Sequence, residues 1–261
     1  MATILNQQGS SPASSNHPIT GQSGAGKVSQ KTTKVSIIIP VYNEFFHLSE
    51  VLQSVLEARM PPQVEKEVIV VDDGSTDGTT DLLKQWNTSL VKIHHSVLNF
   101  GKGTAIRIGL KHATGDIIVI QDGDQEYDPN EIQLLVKPIM EGRASVVYGS
   151  RFLGRMEGMY FRYWLCNKLL VWTVRLLFGA WITDEATAYK AFKREVIQNV
   201  SLNCRRFEFC PEITAKLLRT GHHIHEVPIS YTARSVAQGK KIRLADAFTA
   251  FWTLVRYRLP G

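Results

Sequence analysis

From Lys34 onward, runs of consecutive apolar residues alternate with segments whose apolar positions recur every three or four residues. "VSIIIPV", "EVIVVD", "VKIHHSV", "DIIVIQD" and "SVVYGS" are of the first kind and predict strands buried on both faces. "HLSEVLQSVLEA", "TTDLLKQW", "GKGTAIRIGLKHA" and "PNEIQLLVKPIM" are of the second kind and predict helices. Strand–helix alternation of this sort predicts an α/β fold, a mostly parallel central sheet with helices on both faces. Ligands of such sheets bind beyond the carboxyl ends of the strands. "PVYNE", "DDGSTD", "DGDQE" and "GSR" each follow a predicted strand directly, so they are expected to converge on one rim.

After Arg151 the pattern turns helical. "MYFRYWLCNKLLVWTVRLLFGAWI" mixes aromatic and aliphatic residues with Arg162, Lys168 and Arg175. "EITAKLLRTG" predicts a helix closed by Gly221, and "IHEVPISY" a strand that Pro228 favours at a sheet edge. "IRLADAFTAFWTLVRYRL" predicts a C-terminal amphipathic helix. No run reaches the ~18 apolar residues of a spanning helix, and no signal-peptide core is visible near Met1. Residues 1–33 are rich in Ser, Gly, Gln, Asn and Thr and hold no acid, the composition of a disordered tail. Within it "GQSGAGK", Gly21 to Lys27, fits seven positions of a P-loop. Val28 stands where the Mg²⁺-binding hydroxyl belongs and no apolar strand precedes, so an ATP site is rejected. The expected organisation is a tail (1–33), a domain (34–232) and a basic loop with an amphipathic helix (233–261). The domain divides into a nucleotide and metal half (34–150) and an acceptor half (151–232).

Composition refines this picture modestly. The chain has 261 residues, a formal charge of +6 and a pI near 9.2, a balance that suits anionic partners without deciding which. Three cysteines, Cys166, Cys204 and Cys210, lack metal-ligand spacing and read as free thiols in a reducing compartment.

The chemistry concentrates at the strand ends. Asp122, Asp124, Glu126 and Asp128 place four carboxylates at alternate positions. Asp128 precedes Pro129 and suits a helix N-cap. Asp122 and Asp124 suit a hard divalent cation, which takes oxygen ligands and keeps positions for substrate phosphates. Asp72 and Asp73 can accept hydrogen bonds from a base or ribose, or serve the turn itself. Lys102, between glycines before a predicted helix, marks a phosphate neighbourhood.

In order along the chain, "SIIIPVYNE", "VIVVDDGSTDGT", "NFGKGTAIRIGL", "DIIVIQDGDQEYDP", "GSRFLG", "DEATAYKAFKREVI" and "EVPISYTARS" resemble the family 2 glycosyltransferases of the GT-A fold. Within that family they resemble the branch of dolichyl-phosphate mannose synthase and the polyprenyl-phosphate sugar transferases. The resemblance implies that Pro40, Tyr42 and Glu44 contact the nucleoside and that Asp73 reads the base. It implies that Asp122 and Asp124, around Gly123, hold Mg²⁺ or Mn²⁺ on the donor diphosphate. Glu126, where the family often has glutamine, adds a charged oxygen ligand. Arg151 and Arg162 match basic positions near the acceptor phosphate. Arg234 matches an arginine that approaches the donor diphosphate, and Lys240 and Lys241 follow it. The family's "DxxTG" stands as Asp184 to Ala188, with alanine for glycine.

The implied activity is inverting, metal-dependent transfer of a hexose from a GDP- or UDP-sugar to a polyprenyl phosphate. It would take place at the cytoplasmic membrane face, with peripheral attachment or an anchoring subunit and with no role for nucleic acid. A phosphate acceptor needs cations rather than a general base, because its second pKa of about 6 leaves it ionised at pH 7. Arg151 and Arg162 are assigned to that phosphate, whereas Arg155 and Lys168 are read as solvated. Aromatic, cationic helices over 160–182 and 243–259 suit a bilayer interface as well as a packed core. A glycan or other hydroxyl acceptor remains the alternative, with Asp184 as candidate base. A non-catalytic nucleotide-sugar binder would not need the metal clamp. A sugar nucleotidyltransferase would carry a Gly-rich motif where "PVYNE" stands.

Overall fold

The computed structural model describes residues 32–86, 88–234 and 244–259. The tail with its P-loop-like heptad, apart from its last two residues, and Lys240 and Lys241 lie outside them. Thr33, the last residue assigned to the tail, opens the first strand.

The central sheet is built from β1 (Thr33–Val41), β2 (Val64–Asp72), β3 (Val91–His95), β4 (Ile117–Ile120), β5 (Val146–Ser150), β7 (Lys190–Lys193) and β8 (His225–Pro228). Their spatial order is β3-β2-β1-β4-β7-β5-β8. All neighbours are parallel except β7, which runs antiparallel to both β4 and β5. Pro228 sits in β8 at the sheet edge, where its missing N–H costs no ladder bond. Two short strands, β6 (Met156–Glu157) and β9 (Tyr231–Thr232), pair separately.

The helices are α1 (Leu48–Glu57), α2 (Thr79–Lys84), α3 (Lys102–His112), α4 (Ile132–Met140), α5 (Phe161–Phe178), α6 (Arg194–Gln198), α7 (Phe209–Arg219) and α8 (Leu244–Arg258). The continuous apolar strands feed two cores. Ile37 and Ile39 of β1 face one core, with the buried stripes of α1 and α4. Ile38 faces the other, with Ala105 and Ile106 of α3 and Ile213 and Leu217 of α7. Each fully buried isoleucine contributes about 1.5–3 kcal/mol. A third, smaller cluster joins Leu170 and Val174 of α5 to Ala250 and Leu254 of α8 across Ala215 of α7.

The patterning did not predict β7. Its four residues, "KAFK", are too short and too polar to read as a central strand. Lys190 nevertheless lies fully buried there, because its Nζ donates to the Glu185 carbonyl at 2.8 Å and rests 3.4 Å from the Tyr148 ring centroid. With β7 lodged between β4 and β5, the two halves expected to meet near residue 150 share one sheet.

Opposite the rim, Glu67 of β2 ties several segments together. It is buried, accepts from the Ser36 hydroxyl and the Thr114 amide, and pairs with Lys34 and Lys92 at 3.0 and 2.9 Å. Burial alone would raise its pKa, but these partners together hold it far below the usual glutamate range. A depressed folded pKa gives stability that is present above the unfolded value and lost as pH falls toward the folded one. Glu67→Gln is therefore expected to cost about 2–3 kcal/mol at pH 7. Its deficit in denaturant melts should shrink below about pH 4.5, where the parent loses the same contribution. An equal deficit at pH 7 and pH 3 would contradict the assignment.

Candidate active site

The carboxyl ends of β1, β2, β4 and β5 meet at one rim, and the amino end of the reversed β7 joins them. The rim is therefore supplied by Glu44, Asp72, Asp73, the turn after β4, Arg151 and Asp184. Gly123 permits that turn to lie close to β1, since a Cβ there would sit 3.1 Å from Val41 Cγ2 and 3.4 Å from the Pro40 carbonyl oxygen.

Arg234, two residues after β9, is the hub of the acidic cluster. Its guanidinium pairs with Glu44 at 3.0 Å and with Asp124, and its amide donates to Glu126 Oε1 at 2.8 Å. Glu126 Oε2 also accepts the Tyr231 hydroxyl at 3.0 Å. Both Glu126 oxygens thus accept bonds from the protein, and Glu126 lines the cavity together with Asp122. Burial and the neighbouring Asp122 and Glu126 charges push the Asp124 carboxyl up, while the Arg234 guanidinium opposes them. Asp122 is paired instead with the ammonium of Lys102.

Among the described residues, no three His, Cys, Asp or Glu side chains already surround one metal-sized point. The donor set still fits Mg²⁺ or Mn²⁺. Such ions are commonly held by one or two carboxylates plus substrate phosphates, and Asp122 and Asp124 are adjacent hard oxygen donors. Lys102 and Arg234 neutralise these carboxylates here.

Asp72 and Asp73 both bond to the turns around them. Asp72 is buried and accepts from the Ser75 amide at 3.1 Å, the Thr80 hydroxyl and His95. Burial would raise its pKa, but those bonds overcome it and hold the pKa low. Asp72 therefore fixes the turn. Asp73 is raised by burial, and its oxygens accept the Phe100 and Gly101 amides at 2.9 and 2.6 Å. It pins the loop that carries Lys102. The Gly103 and Thr104 amides of α3 are not open to a phosphate, because they donate to the Arg206 and Arg205 carbonyls at 3.0 Å each. Gly101, at φ 98°, is required there, since any Cβ would strike the Arg205 carbonyl. The phosphate neighbourhood reduces to Lys102 itself.

Arg151 and Asp184 form a buried fork. Nε and Nη2 donate to the two carboxylate oxygens at 2.7 Å each, and the Arg151 amide adds a bond at 3.0 Å. The fork is itself held, because Glu226 accepts the Thr183 and Asp184 amides at 2.7 and 3.0 Å. Glu226 was not singled out from the sequence, although an acid inside the apolar edge strand "IHEVPIS" was the available signal. Arg162 is exposed on α5 and stacked over Tyr160 and Tyr163 at 5.3 and 5.0 Å. Pro40 is buried and Tyr42 half-buried beside Glu44 at the end of β1.

A cavity of about 130 Å³ links these groups, with Lys102, Asp122 and Arg151 in its wall. Tyr163 and Asn167 of α5 and Ala250 of α8 also line it.

Residues 36–200 match the family model for "Glycosyl transferase family 2". A dolichol-phosphate mannosyltransferase of Pyrococcus furiosus is 30% identical, over 79% of this chain and 59% of its own length. A polyprenol monophosphomannose synthase of Mycolicibacterium smegmatis is 29% identical, over 88% of this chain and 92% of its own. The chain thus spans under two thirds of the first relative and most of the second. Among solved structures, the glucosyl-3-phosphoglycerate synthase of Mycobacterium tuberculosis in complex with UDP superposes with a TM-score of 0.67 at 19% identity, over 88% and 82% of the two chains. The same synthase with Mn²⁺, UDP and glucosyl-3-phosphoglycerate gives a TM-score of 0.65. The fold is the expected GT-A fold, and the chain belongs to glycosyl transferase family 2 as a glycosyltransferase.

Proposed function

We propose that the protein moves a hexose from a GDP- or UDP-sugar to a polyprenyl phosphate, with inversion, at the cytoplasmic face of a membrane. The observation that carries this reading is the Arg151–Asp184 fork. It fixes a cation in the cavity wall and commits both oxygens of the carboxylate that a hydroxyl acceptor would need as its base. An ionised phosphate oxygen attacks the sugar's anomeric carbon, the bond to the nucleoside diphosphate breaks, and no proton has to be removed. Arg151 steadies the acceptor phosphate. Lys102 and Arg234 offer charge to the departing diphosphate. Asp122 and Asp124 would hold the divalent cation, whose chemistry when bound is to neutralise charge on that diphosphate.

The lipid part of the acceptor fits the outer faces of α5 and α8. Phe161, Leu165, Leu169, Trp172 and Leu176 form one exposed stripe at helical spacing, and Phe248, Phe251 and Trp252 are exposed on α8. Arg162 and Arg175 flank the α5 stripe, the arrangement of a helix lying in a bilayer interface. Among the described residues, no helix is long and apolar enough to cross a membrane.

The test is transfer itself. Labelled GDP-mannose or UDP-glucose with Mn²⁺ and vesicles containing polyprenyl phosphate should place label in the organic phase, and chelation should stop it. Label found only in a water-soluble glycan would transfer the assignment to a hydroxyl acceptor.

A further inference from the structure

One buried acid in the cavity wall has no part in the reading above. Glu185 follows Asp184 and has no exposed surface, yet it lines the same cavity as Lys102, Asp122 and Arg151. Neither of its carboxylate oxygens has a hydrogen-bond partner. The groups beside it have other partners as well. Lys190 donates to the main-chain carbonyl of Glu185 rather than to its side chain. The Thr214 hydroxyl is paired with Tyr148 at 3.0 Å, and the Cys210 thiol points to the Thr187 carbonyl at 3.5 Å. Burial pushes the carboxyl up to about 7, against the pull of the Lys190 charge and the Thr214 hydroxyl.

A buried carboxyl whose oxygens lack hydrogen-bond partners costs stability, and the nearby Lys190 charge and Thr214 hydroxyl offset that only in part. Such a group is explained when a ligand completes its hydrogen bonds. The ligand's chemistry follows from charge. A carboxylate repels a phosphate, whereas it accepts hydrogen bonds from neighbouring hydroxyls. In the displacement proposed above, the sugar is the uncharged, hydroxyl-rich body that must lie between the two phosphates. Lys102 and Arg151, cations suited to the two phosphates, line the same cavity as Glu185. We infer that Glu185 accepts hydroxyl hydrogens of the transferred hexose and is a specificity-determining residue for the donor sugar. This inference rests on the proposed function. A water-free site built to hydrogen-bond a hydroxyl rejects an analogue lacking it far more strongly than an apolar wall would.

Calorimetric titration with Mn²⁺ tests it, using GDP-mannose, UDP-glucose, GDP and UDP against the parent, Glu185→Gln and Glu185→Leu. The informative quantity is the ratio of nucleotide-sugar affinity to nucleoside-diphosphate affinity. In Glu185→Leu this ratio should fall by about tenfold or more, with nucleoside-diphosphate affinity unchanged and Glu185→Gln intermediate. Both variants should melt no lower than the parent, since an unpaired buried acid is removed. If Glu185→Leu does not fold, the ratio in Glu185→Gln decides. An unchanged ratio, or equal losses for sugar and diphosphate, overturns the inference. A parent protein that binds none of the four ligands overturns the functional reading beneath it, and is recognised before any variant is made.

Discussion

Asp124→Asn is expected to lower turnover by at least about 10³-fold while leaving the fold intact. Asparagine can still accept the Glu126 amide, which the parent bonds at 3.1 Å, and can still contact Arg234. What it loses is the charge that a divalent cation needs from this side of the turn. The same substitution relieves crowding, because burial and the charges of Asp122 and Glu126 already disfavour the ionised acid. The thermal midpoint of the metal-free variant should therefore equal or exceed that of the parent. Turnover of labelled donor, read beside a circular-dichroism melt, separates the two effects. Parent-level activity of the variant, undiminished by a chelator, would remove the metal role of this aspartate.

Asp184→Asn should act in the opposite way, through stability. Arg151 and Asp184 are almost wholly buried, and breaking such a pair from one side strands the remaining charge at a cost of about 3–5 kcal/mol. For a domain of this size that corresponds to roughly 10 °C in melting temperature. Arg151→Met combined with Asp184→Asn removes both charges and should recover much of the loss, a non-additivity that a double-mutant cycle measures. Activity should stay low in the double variant, because the cation is gone from the cavity. If Asp184 were instead a general base, Asp184→Asn would keep its melting temperature and lose activity alone. That result would restore the hydroxyl-acceptor alternative.

Much of this architecture was legible in the chain because parallel strands buried on both faces are written as uninterrupted apolar runs. Ile37, Ile38 and Ile39 are an example, and they feed two cores from three consecutive positions. The rim followed from the same reasoning, since residues after such strands are delivered to one side. Side-chain partnerships across large sequence separations were not legible. The family resemblance implies an oxygen ligand at Glu126, but its bonds to Tyr231 and Arg234, more than a hundred residues later, are not readable from that position. The α3 amino end was read as a phosphate site from its glycines. Those glycines instead admit the main chain of Arg205 and Arg206. The family resemblance pairs Arg162 with Arg151, but its stacking on Tyr160 and Tyr163 is not readable from that match. Glu185 carries no local signal strong enough to separate a buried acid from a solvated one, and Glu226 carries only its place inside an apolar edge strand.

The reversed strand β7 also bears on how the molecule is made. Residues 34–150 contain β1 to β5, but β5 meets β4 only through a strand that leaves the ribosome some forty residues later, and its outer neighbour β8 follows later still. Vectorial synthesis would leave β5 with two raw edges until then, a state prone to self-association. Residues 34–150 are therefore not a module that can be excised and expected to stand alone, and their maturation waits on the piece of chain that also brings Asp184 and Glu185 to the rim.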